Sequence, residues 1–290
     1  MDIRAIFMGL AFALMWSSAF TSVRVIVAHA PPLAALSVRF LIAGIIAVAI
    51  ARALGQTWQL TREQWRLTIV FGICQNALYL GLYFVAMQTV EASLAAIIAS
   101  SLPLWVALSG WLISGDRLPP MGVAGLVAGF AGVAIIMGSR LSAGVDPFGV
   151  MLCGLGVLAL TFATLALRGA SSGGNVLMIV GLQMLIGSAA LVVPALLLEE
   201  WVITPTWSLT IAFTYTIFIP GLAATFTWFL LVRRIGTVRA ATFHFLNPFL
   251  GVAIAALFLG EALGPLDILG VAIITAGILA VQLSKVSTRS

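Results

Sequence analysis

Ten apolar runs, each about as long as a bilayer is thick, constrain this chain more than any other feature. A helix that crosses the hydrocarbon needs about 20 mostly apolar residues. Dividing the sequence at its charges, prolines and glycine clusters predicts ten such helices. They cover roughly residues 4–26, 33–52, 66–88, 92–113, 119–138, 148–168, 175–198, 207–232, 239–259 and 265–284. Only short loops remain, so we expect an all-α integral membrane protein with ten transmembrane helices and no soluble domain.

Charge is scarce enough to exclude the common classes of soluble protein. Of 290 residues, 62% are hydrophobic and only 8% are charged, whereas soluble domains carry about 25% charged residues. These proportions argue against a soluble enzyme and a disordered chain. The net charge of +5 accompanies no basic patch interleaved with aromatic residues, so we expect no nucleic-acid partner.

The distribution of Lys and Arg predicts the orientation in the membrane. With a cytoplasmic N-terminus, eleven of the fourteen cations fall in inside segments. Arg24 and Arg140 fall outside, and Arg39 lies within the second span. This positive-inside bias places both termini in the cytoplasm.

Comparison of the chain with itself indicates a duplication. Trp65–Phe71 and Trp207–Phe213 share five of seven residues at an offset of 142, whereas Pro103 and Pro248 pair at an offset of 145. Between these points Thr89-Val90 matches Thr237-Val238, which predicts an insertion in the second half. We therefore divide the chain into a first repeat, residues 1–143, and a second, residues 144–290.

Each predicted repeat contains five spans, and five is odd. The second repeat therefore enters the membrane from the opposite side, which is the inverted repeat of many secondary transporters. Such a repeat allows alternating access, because two similar halves can exchange conformations. An ancient duplication without a transport role is the alternative.

With this topology, short motifs make the chain resemble the EamA branch of the drug/metabolite transporter superfamily. The first span has Trp16-Ser17-Ser18-Ala19-Phe20, and the second has Pro31 followed by Arg39-Phe40. Each half ends with a glycine-acidic pair, a proline and two glycines: Gly115-Asp116, Pro120, Gly125, Gly132 and Gly260-Glu261, Pro265, Gly270, Gly277. The chain looks most similar to bacterial aromatic amino-acid exporters of the YddG type. The resemblance implies a multi-pass transporter of the bacterial inner membrane.

Polar side chains within the third span are the first candidates for substrate binding. Gln75, Asn76, Tyr79 and Tyr83 are spaced to share one helical face. The tyrosines offer stacking surfaces, and the amides offer hydrogen bonds. We predict that Gln75, Tyr79 and Tyr83 line the cavity, with contacts between helices as the alternative.

The fourth and ninth spans break at matching prolines. Pro103 and Pro248 each remove a backbone donor, so both are predicted kink or gating positions. We assign substrate-binding roles to four polar or aromatic side chains beside them: Ser100, Trp105, His244 and Asn247. The alternative for His244 is a structural hydrogen bond to a carbonyl.

The first and eighth spans complete the predicted site with Trp16, Ser17 and Trp228. All three lie deep in their spans, unlike the tryptophans at span ends, which fit an interfacial belt. Packing is the alternative for the tryptophans.

Arg39 is the single cation deep within a predicted span. It could extend to the interface, pair with carbonyls or bind a substrate carboxylate. We favour a structural role.

The nine acids all fall in loops or at span ends. Proton-driven carriers usually keep a titratable group within the membrane, and here only His244 could serve. We therefore expect facilitated diffusion or exchange.

The sequence predicts export of amino acids, aromatic and other neutral zwitterions, by alternating access. Export of purines or other metabolites and drugs is the alternative. A channel and an intramembrane enzyme are less well supported, because no filter motif and no G-x-S-x-G or H-E-x-x-H motif occurs. We expect no cofactor and no metal site, a lipid bilayer around the chain, and a monomer.

Overall fold

The computed structural model describes residues 3–113, 115, 118–166, 173–235, 240 and 242–287, and all regular structure in these ranges is helical. The α-helices are α1 Ile3–Val27, α2 Pro32–Ala53, α3 Arg62–Phe71, α4 Leu80–Ala86, α5 Ala92–Ser100, α6 Leu102–Leu112, α7 Pro120–Ser142, α8 Pro147–Ala166, α9 Val176–Leu198, α10 Trp207–Thr216, α11 Ala224–Ile235, α12 Asn247–Leu259 and α13 Pro265–Ser287.

Within the described ranges, nine helical segments are long and apolar enough to span a membrane. The run predicted at residues 239–259 corresponds to a shorter apolar helix, Phe243–Leu259. Residues 236–239 and 241 lie outside the described ranges, so the count of ten stays a prediction. Other predicted span ends lie within about four residues of the helix ends.

Two long spans contain a π-helical segment. Gly72–Tyr79 joins α3 to α4, and Ile217–Ala223 joins α10 to α11. The second contains Pro220, which cannot donate the i→i−4 hydrogen bond of an α-helix. Each segment begins 145 residues from its counterpart.

The same offset relates the starts of α3 and α10, so the 142-residue offset of the tryptophan motifs does not hold for the helices that contain them. Thr61 and Thr206, 145 residues apart, accept a backbone N–H through their side chains at the N-termini of α3 and α10. Trp207 is therefore the first residue of its helix, whereas Trp65 is the fourth. The two tryptophan motifs share sequence but occupy different turns.

The helices divide into two compact units. Unit 1 contains Met1–Thr21, Thr89–Met151 and Ala223–Ser290, and unit 2 contains Ser22–Gln88 and Leu152–Leu222. Each unit combines segments from both predicted repeats. The repeats at 1–143 and 144–290 remain a proposal about the sequence, separate from this spatial division.

In unit 1, glycines bring α7 and α13 into backbone contact. A Cβ built on Gly125 would lie 2.7 Å from the carbonyl oxygen of Gly277, and one built on Gly132 would lie 2.9 Å from that of Gly270. Gly270 and Gly277 stand 145 residues after Gly125 and Gly132. The proposed repeat therefore maps each of these two contacts onto the other, as the symmetry axis does in a two-fold interface.

Unit 2 has an equivalent crossing of α2 and α9. A Cβ on Gly44 would lie 3.0 Å from the carbonyl oxygen of Gly181. Ser37 and Ser188 each donate a hydrogen bond to the other's main-chain carbonyl, over 3.0 and 2.8 Å. Small residues and reciprocal hydroxyl bonds are the usual means of joining helices in lipid.

Acidic side chains in the described ranges lie at helix ends. Glu199 accepts hydrogen bonds from the N–H groups of Leu33 and Ala34 at the start of α2. Glu261 does the same for Ala92 and Ser93 at the start of α5. Carboxylates at these positions stabilise the N-terminal end of the helix dipole. Glu261 is the acid of the second glycine-acidic motif, so this motif has a structural function.

Several residues used in the sequence analysis lie outside the described ranges. They are Asp116 of the first glycine-acidic motif and the cations Arg117, Arg168, Arg239 and Arg289. The orientation of the termini stays a prediction.

Candidate functional site

An aromatic cluster surrounds Phe12 of α1 in unit 1. Its ring centroid lies 5.8 Å from that of Trp16, one turn further along the helix. It lies 4.9 Å from the ring of Trp228 on α11 and 5.2 Å from the ring of His244. Trp228 and His244 also meet, at 5.1 Å. Four rings from three parts of the chain therefore form one surface.

A short chain of polar groups joins this cluster. Ser17 is buried and its hydroxyl donates to Oδ1 of Asn247 over 3.4 Å. Nδ2 of Asn247 lies 2.9 Å from Nδ1 of His244. None of these groups carries a formal charge when the histidine is neutral. Hydrogen-bonding atoms and aromatic faces are thus available side by side.

Local backbone structure explains why His244 and Asn247 meet. His244 lies in the 3₁₀ helix Thr242–Leu246, and Asn247 begins α12 with Pro248 as its second residue. Residues three apart are eclipsed in a 3₁₀ helix, which brings the amide onto the imidazole. The helix break predicted at Pro248 is therefore present, and the change from 3₁₀ to α-helix at this point brings His244 and Asn247 together. Its role in gating stays a prediction.

Five of the ten predicted substrate-binding residues come together here: Trp16, Ser17, Trp228, His244 and Asn247. Their binding roles stay predictions. The sequence reasoning missed Phe12, because it searched the spans for polar groups and tryptophans. The available signal was spacing, since Phe12 precedes Trp16 by four residues and shares its helical face.

Tyr79 and Tyr83 form a separate pair in unit 2. Their ring centroids are 4.7 Å apart. The two side chains are only 3% and 1% exposed. A Cβ built on Gly156 would lie 2.9 Å from the Tyr83 ring, so α8 packs closely against it. The arrangement favours packing, and a role in lining a cavity stays a prediction.

One of the two amides of the same span joins helices of unit 2. Asn76 is buried, and its Nδ2 donates to the carbonyl oxygen of Gln183 over 2.9 Å. Gln75 donates to Oδ1 of Asn76 over 3.4 Å. This is the interhelical contact that the sequence analysis named as the alternative. Substrate binding by Gln75 stays a prediction.

The remaining predicted residues lie around the break at Pro103. The α5 helix ends at Ser100, and α6 begins at Leu102 with Pro103 as its second residue. Ser100 donates to the carbonyl oxygen of Ala96 in its own helix, over 2.7 Å. Trp105 packs edge-on against Phe130 of α7, at 5.0 Å. These contacts stabilise unit 1, and substrate-binding or gating roles here stay predictions.

Arg39 is buried in unit 2, with 7% of its surface exposed. Its Nε and Nη2 both donate to the carbonyl oxygen of Thr216, over 3.3 Å. The guanidinium also lies 5.1 Å from the ring centroid of Phe40. Among the described residues, the ion pairs are those that Arg140 makes with Glu91 and Asp267. Arg39 is therefore paired with a carbonyl, one of the three alternatives considered from the sequence.

A cavity of about 350 Å³ lies between α2 and α9 in unit 2. Its lining is Ala34, Ser37, Val38, Leu41, Leu185, Ser188, Ala189, Val192, Ala195 and Trp201. None of these is a predicted substrate-binding residue. Their apolar character suits hydrocarbon better than a zwitterion. Within the described ranges, no group of three His, Cys, Asp or Glu side chains could hold a metal ion.

Comparison with known protein families finds one profile that matches the chain twice. The EamA-like transporter family profile aligns with residues 3–138 and again with residues 147–283. The two matches together cover nearly the whole sequence.

Individual relatives match over different lengths. "Uncharacterized transporter YvbV" of Bacillus subtilis is 26% identical over 88% of this chain and 84% of its own length. "Uncharacterized inner membrane transporter YedA" of Escherichia coli is 25% identical over 96% and 90%. "Aromatic amino acid exporter YddG" of Ancylobacter novellus is 31% identical, but over 38% of each chain.

A solved structure described as "Crystal structure of protein" shares the fold. It superposes with a TM-score of 0.68 at 21% identity and covers all of both chains. The similarity supports the helical architecture described above.

Proposed function

The chain belongs to the EamA-like transporter family, a premise from which we propose that it exports amino acids with aromatic or other neutral side chains. Two relatives are named as transporters, and one of them is named as an inner membrane transporter. We place this chain in the bacterial inner membrane, as a monomer in the lipid bilayer.

The observation that supports this substrate class is the cluster around Phe12. Aromatic rings and the hydrogen-bonding groups of Ser17, His244 and Asn247 meet within unit 1. Aromatic rings offer a surface on which a planar apolar side chain can stack. The neighbouring polar groups can hold the main-chain atoms of a small zwitterion. The named exporter among the relatives covers only part of the chain, so it adds weaker support.

A carrier of phosphates or nucleotide sugars would need cations at its site, because phosphate oxygens are recognised by Arg and Lys. The cluster around Phe12 presents a histidine and an amide instead. Arg39 donates to a main-chain carbonyl. Purines remain the second candidate, since they too combine a stacking surface with hydrogen-bonding edges.

We further propose alternating access by facilitated diffusion or exchange. Each compact unit has its own glycine-mediated crossing, so each can keep its packing during a rigid-body movement. The described acids lie at helix ends, where Glu199 and Glu261 hold backbone N–H groups and Asp267 holds a cation. No carboxylate of the described spans is therefore placed to carry a proton across the membrane.

Uptake into proteoliposomes tests the proposal. Labelled phenylalanine, leucine, a purine and a sugar phosphate are compared with and without a pH gradient, and with unlabelled competitor. We expect saturable uptake of the amino acids, competed by aromatic ones and unchanged by the gradient. Uptake of only the purine or the phosphate would overturn the substrate class. Sustained accumulation driven by the pH gradient would overturn facilitated diffusion.

A pair of tryptophan variants tests whether the cluster binds the solute. Trp228 contacts Phe12 and His244, whereas Trp207 is 83% exposed at the start of α10. We expect Trp228→Leu to raise KM for phenylalanine by about tenfold, the equivalent of about 1.4 kcal/mol of lost stacking. Trp207→Leu is expected to leave KM unchanged. Equal effects of the two variants would contradict the assignment.

A further inference from the structure

The orientation of the Asn247 amide specifies which nitrogen of His244 carries the proton. Ser17 lies 3.4 Å from Oδ1 of Asn247, and in this orientation of the amide its nitrogen Nδ2 faces His244. An amide nitrogen donates and does not accept. Nδ1 of His244, 2.9 Å away, must therefore accept, and the neutral ring carries its proton on Nε2.

This tautomer leaves one donor available. Within the part of the chain that the structure describes, Nε2 of His244 has no hydrogen-bond partner, and His244 as a whole residue is partly exposed. The edge contacts with Phe12 and Trp228 give the ring apolar neighbours. The cluster therefore offers an N–H group beside aromatic surfaces.

We propose that the Nε2–H of His244 binds a carboxylate oxygen of the transported solute. This inference rests on the proposed function and identifies the recognised group as the carboxylate rather than the amine. A neutral N–H donor forms a charge-assisted bond with a carboxylate. An ammonium group has only donors, so Nε2–H offers it nothing to bind. The solute's side chain can then stack on the adjacent rings.

The other histidine provides a matched reference. The chain contains two histidines, and Nδ1 of His29 lies 2.9 Å from the carbonyl oxygen of Val25. A carbonyl only accepts, so His29 carries its proton on Nδ1. The two rings are thus expected to be opposite tautomers. His29 lies just after the end of α1 and outside the aromatic cluster.

Nitrogen NMR of ¹⁵N-histidine-labelled protein in lipid tests the tautomer directly. We expect two ring patterns, one for each tautomer, with His29→Gln identifying the signals. Adding L-phenylalanine should shift the Nε2 signal of His244 and leave His29 unchanged. A proton on Nδ1 of His244 would overturn the inference. An unchanged His244 signal with a solute that the same preparation transports would overturn it as well.

Competition in proteoliposomes tests the recognised group on the unaltered protein. 3-Phenylpropionate keeps the carboxylate and lacks the amine, and phenethylamine has the reverse. We expect 3-phenylpropionate to inhibit phenylalanine uptake and phenethylamine to be at least tenfold weaker. Equal inhibition by both would overturn carboxylate recognition while leaving amino-acid transport intact. Failure of amino-acid transport itself would instead overturn the proposed function.

Variants of His244 distinguish a role in binding the solute from a structural role. His244→Gln retains an N–H donor, whereas His244→Phe retains only a ring. We expect His244→Phe to raise KM for phenylalanine by about tenfold or more, with a smaller rise for His244→Gln. His29→Gln is the control and should match the parent protein. Equal KM values for His244→Phe and the parent would overturn the proposal.

Discussion

Arg39 of α2 donates two hydrogen bonds to the main-chain carbonyl of Thr216, at the point where α10 ends. In a regular α-helix this carbonyl would accept from residue 220, which is a proline and has no N–H. Here the helix widens into the π segment, and Gly221 leaves room for the guanidinium, 3.5 Å from where a Cβ would stand. The buried cation therefore donates to a carbonyl that Pro220 deprives of its regular α-helical hydrogen bond.

The effects of Arg39→Leu and Pro220→Ala on stability are expected to be coupled. Pro220→Ala restores an N–H that can reach the Thr216 carbonyl, so it reduces the need for the guanidinium. We expect the double variant to be about 1–2 kcal/mol more stable than the sum of the single changes predicts. Thermal unfolding in detergent measures this coupling.

Arg52 provides the matched control for that coupling. It is exposed near the end of α2, with its guanidinium 5.0 Å from the ring centroid of Trp58. Arg52→Leu combined with Pro220→Ala should give additive changes in unfolding free energy. If the changes for Arg39→Leu and Pro220→Ala were also additive, Arg39 and Pro220 would act independently.

Two glycines of α7 should respond oppositely to alanine. A Cβ on Gly125 would meet the backbone of Gly277 at 2.7 Å, whereas Gly138 has nothing within 4 Å. We expect Gly125→Ala to destabilise the protein by about 1–3 kcal/mol, because α7 and α13 must separate. Gly138→Ala should be neutral or stabilising by up to about 1 kcal/mol. Unfolding curves of the two variants measure these changes in stability. Equal changes in unfolding free energy would contradict the backbone contact at Gly125.

Neighbouring glutamates after α9 are expected to differ in their effect on α2. Glu199 holds the N–H groups of Leu33 and Ala34, over 2.6 and 2.9 Å, whereas Glu200 is exposed. Glu199→Ala should lower the unfolding free energy by about 1 kcal/mol and speed amide exchange at the start of α2. Glu200→Ala should do neither. A similar response of the two variants would exclude this capping role.

Lowering the pH should destabilise the N-terminal end of α8, because Asp146 becomes protonated. This carboxylate accepts from the Thr89 hydroxyl and from the N–H groups of Phe148 and Gly149, and these bonds, the hydroxyl first, lower its pKa. A lowered folded-state pKa means that the carboxylate stabilises the fold above its ordinary pKa of about 4. That contribution is lost as pH falls through the lower, folded-state value.

Asp146→Asn should remove this part of the pH dependence. The parent protein is expected to lose thermal stability below about pH 4 more steeply than the variant. Glu200→Gln serves as the control, because Glu200 is exposed. Parallel pH profiles for the parent and Asp146→Asn would contradict the assignment.

Apolar run length predicted most of the helices, because the bilayer imposes that length on any spanning helix. The proline breaks at Pro103 and Pro248 were predictable for an equally local reason, since proline lacks the N–H that an α-helix needs. The π segments were not predicted. Gly72–Tyr79 contains no proline, so its widening arises from packing that no short stretch of sequence reveals.

Five of the six residues of the candidate site were predicted from the sequence, whereas Phe12 and the grouping of the six were not. His244 and Trp228 stood out because polar and indole groups deep in a span are costly. Phe12 is an ordinary apolar residue by composition, and only its contacts place it at the centre. The carbonyl that pairs with Arg39 belongs to Thr216, 177 residues away. Because every residue has a main-chain carbonyl, the residue type at position 216 does not identify it as the partner of Arg39.

The crossing of α2 with α9 has a consequence for how the chain is made. The two helices are separated by more than a hundred residues of sequence. At a synthesis rate of about 5–20 residues per second, α2 waits roughly 7–30 s until α9 is complete. Throughout that interval the face containing Gly44 and Ser37 must be covered by lipid or by the insertion machinery. The newly inserted first half therefore depends on its surroundings during synthesis, and it is open to quality control until α9 is inserted.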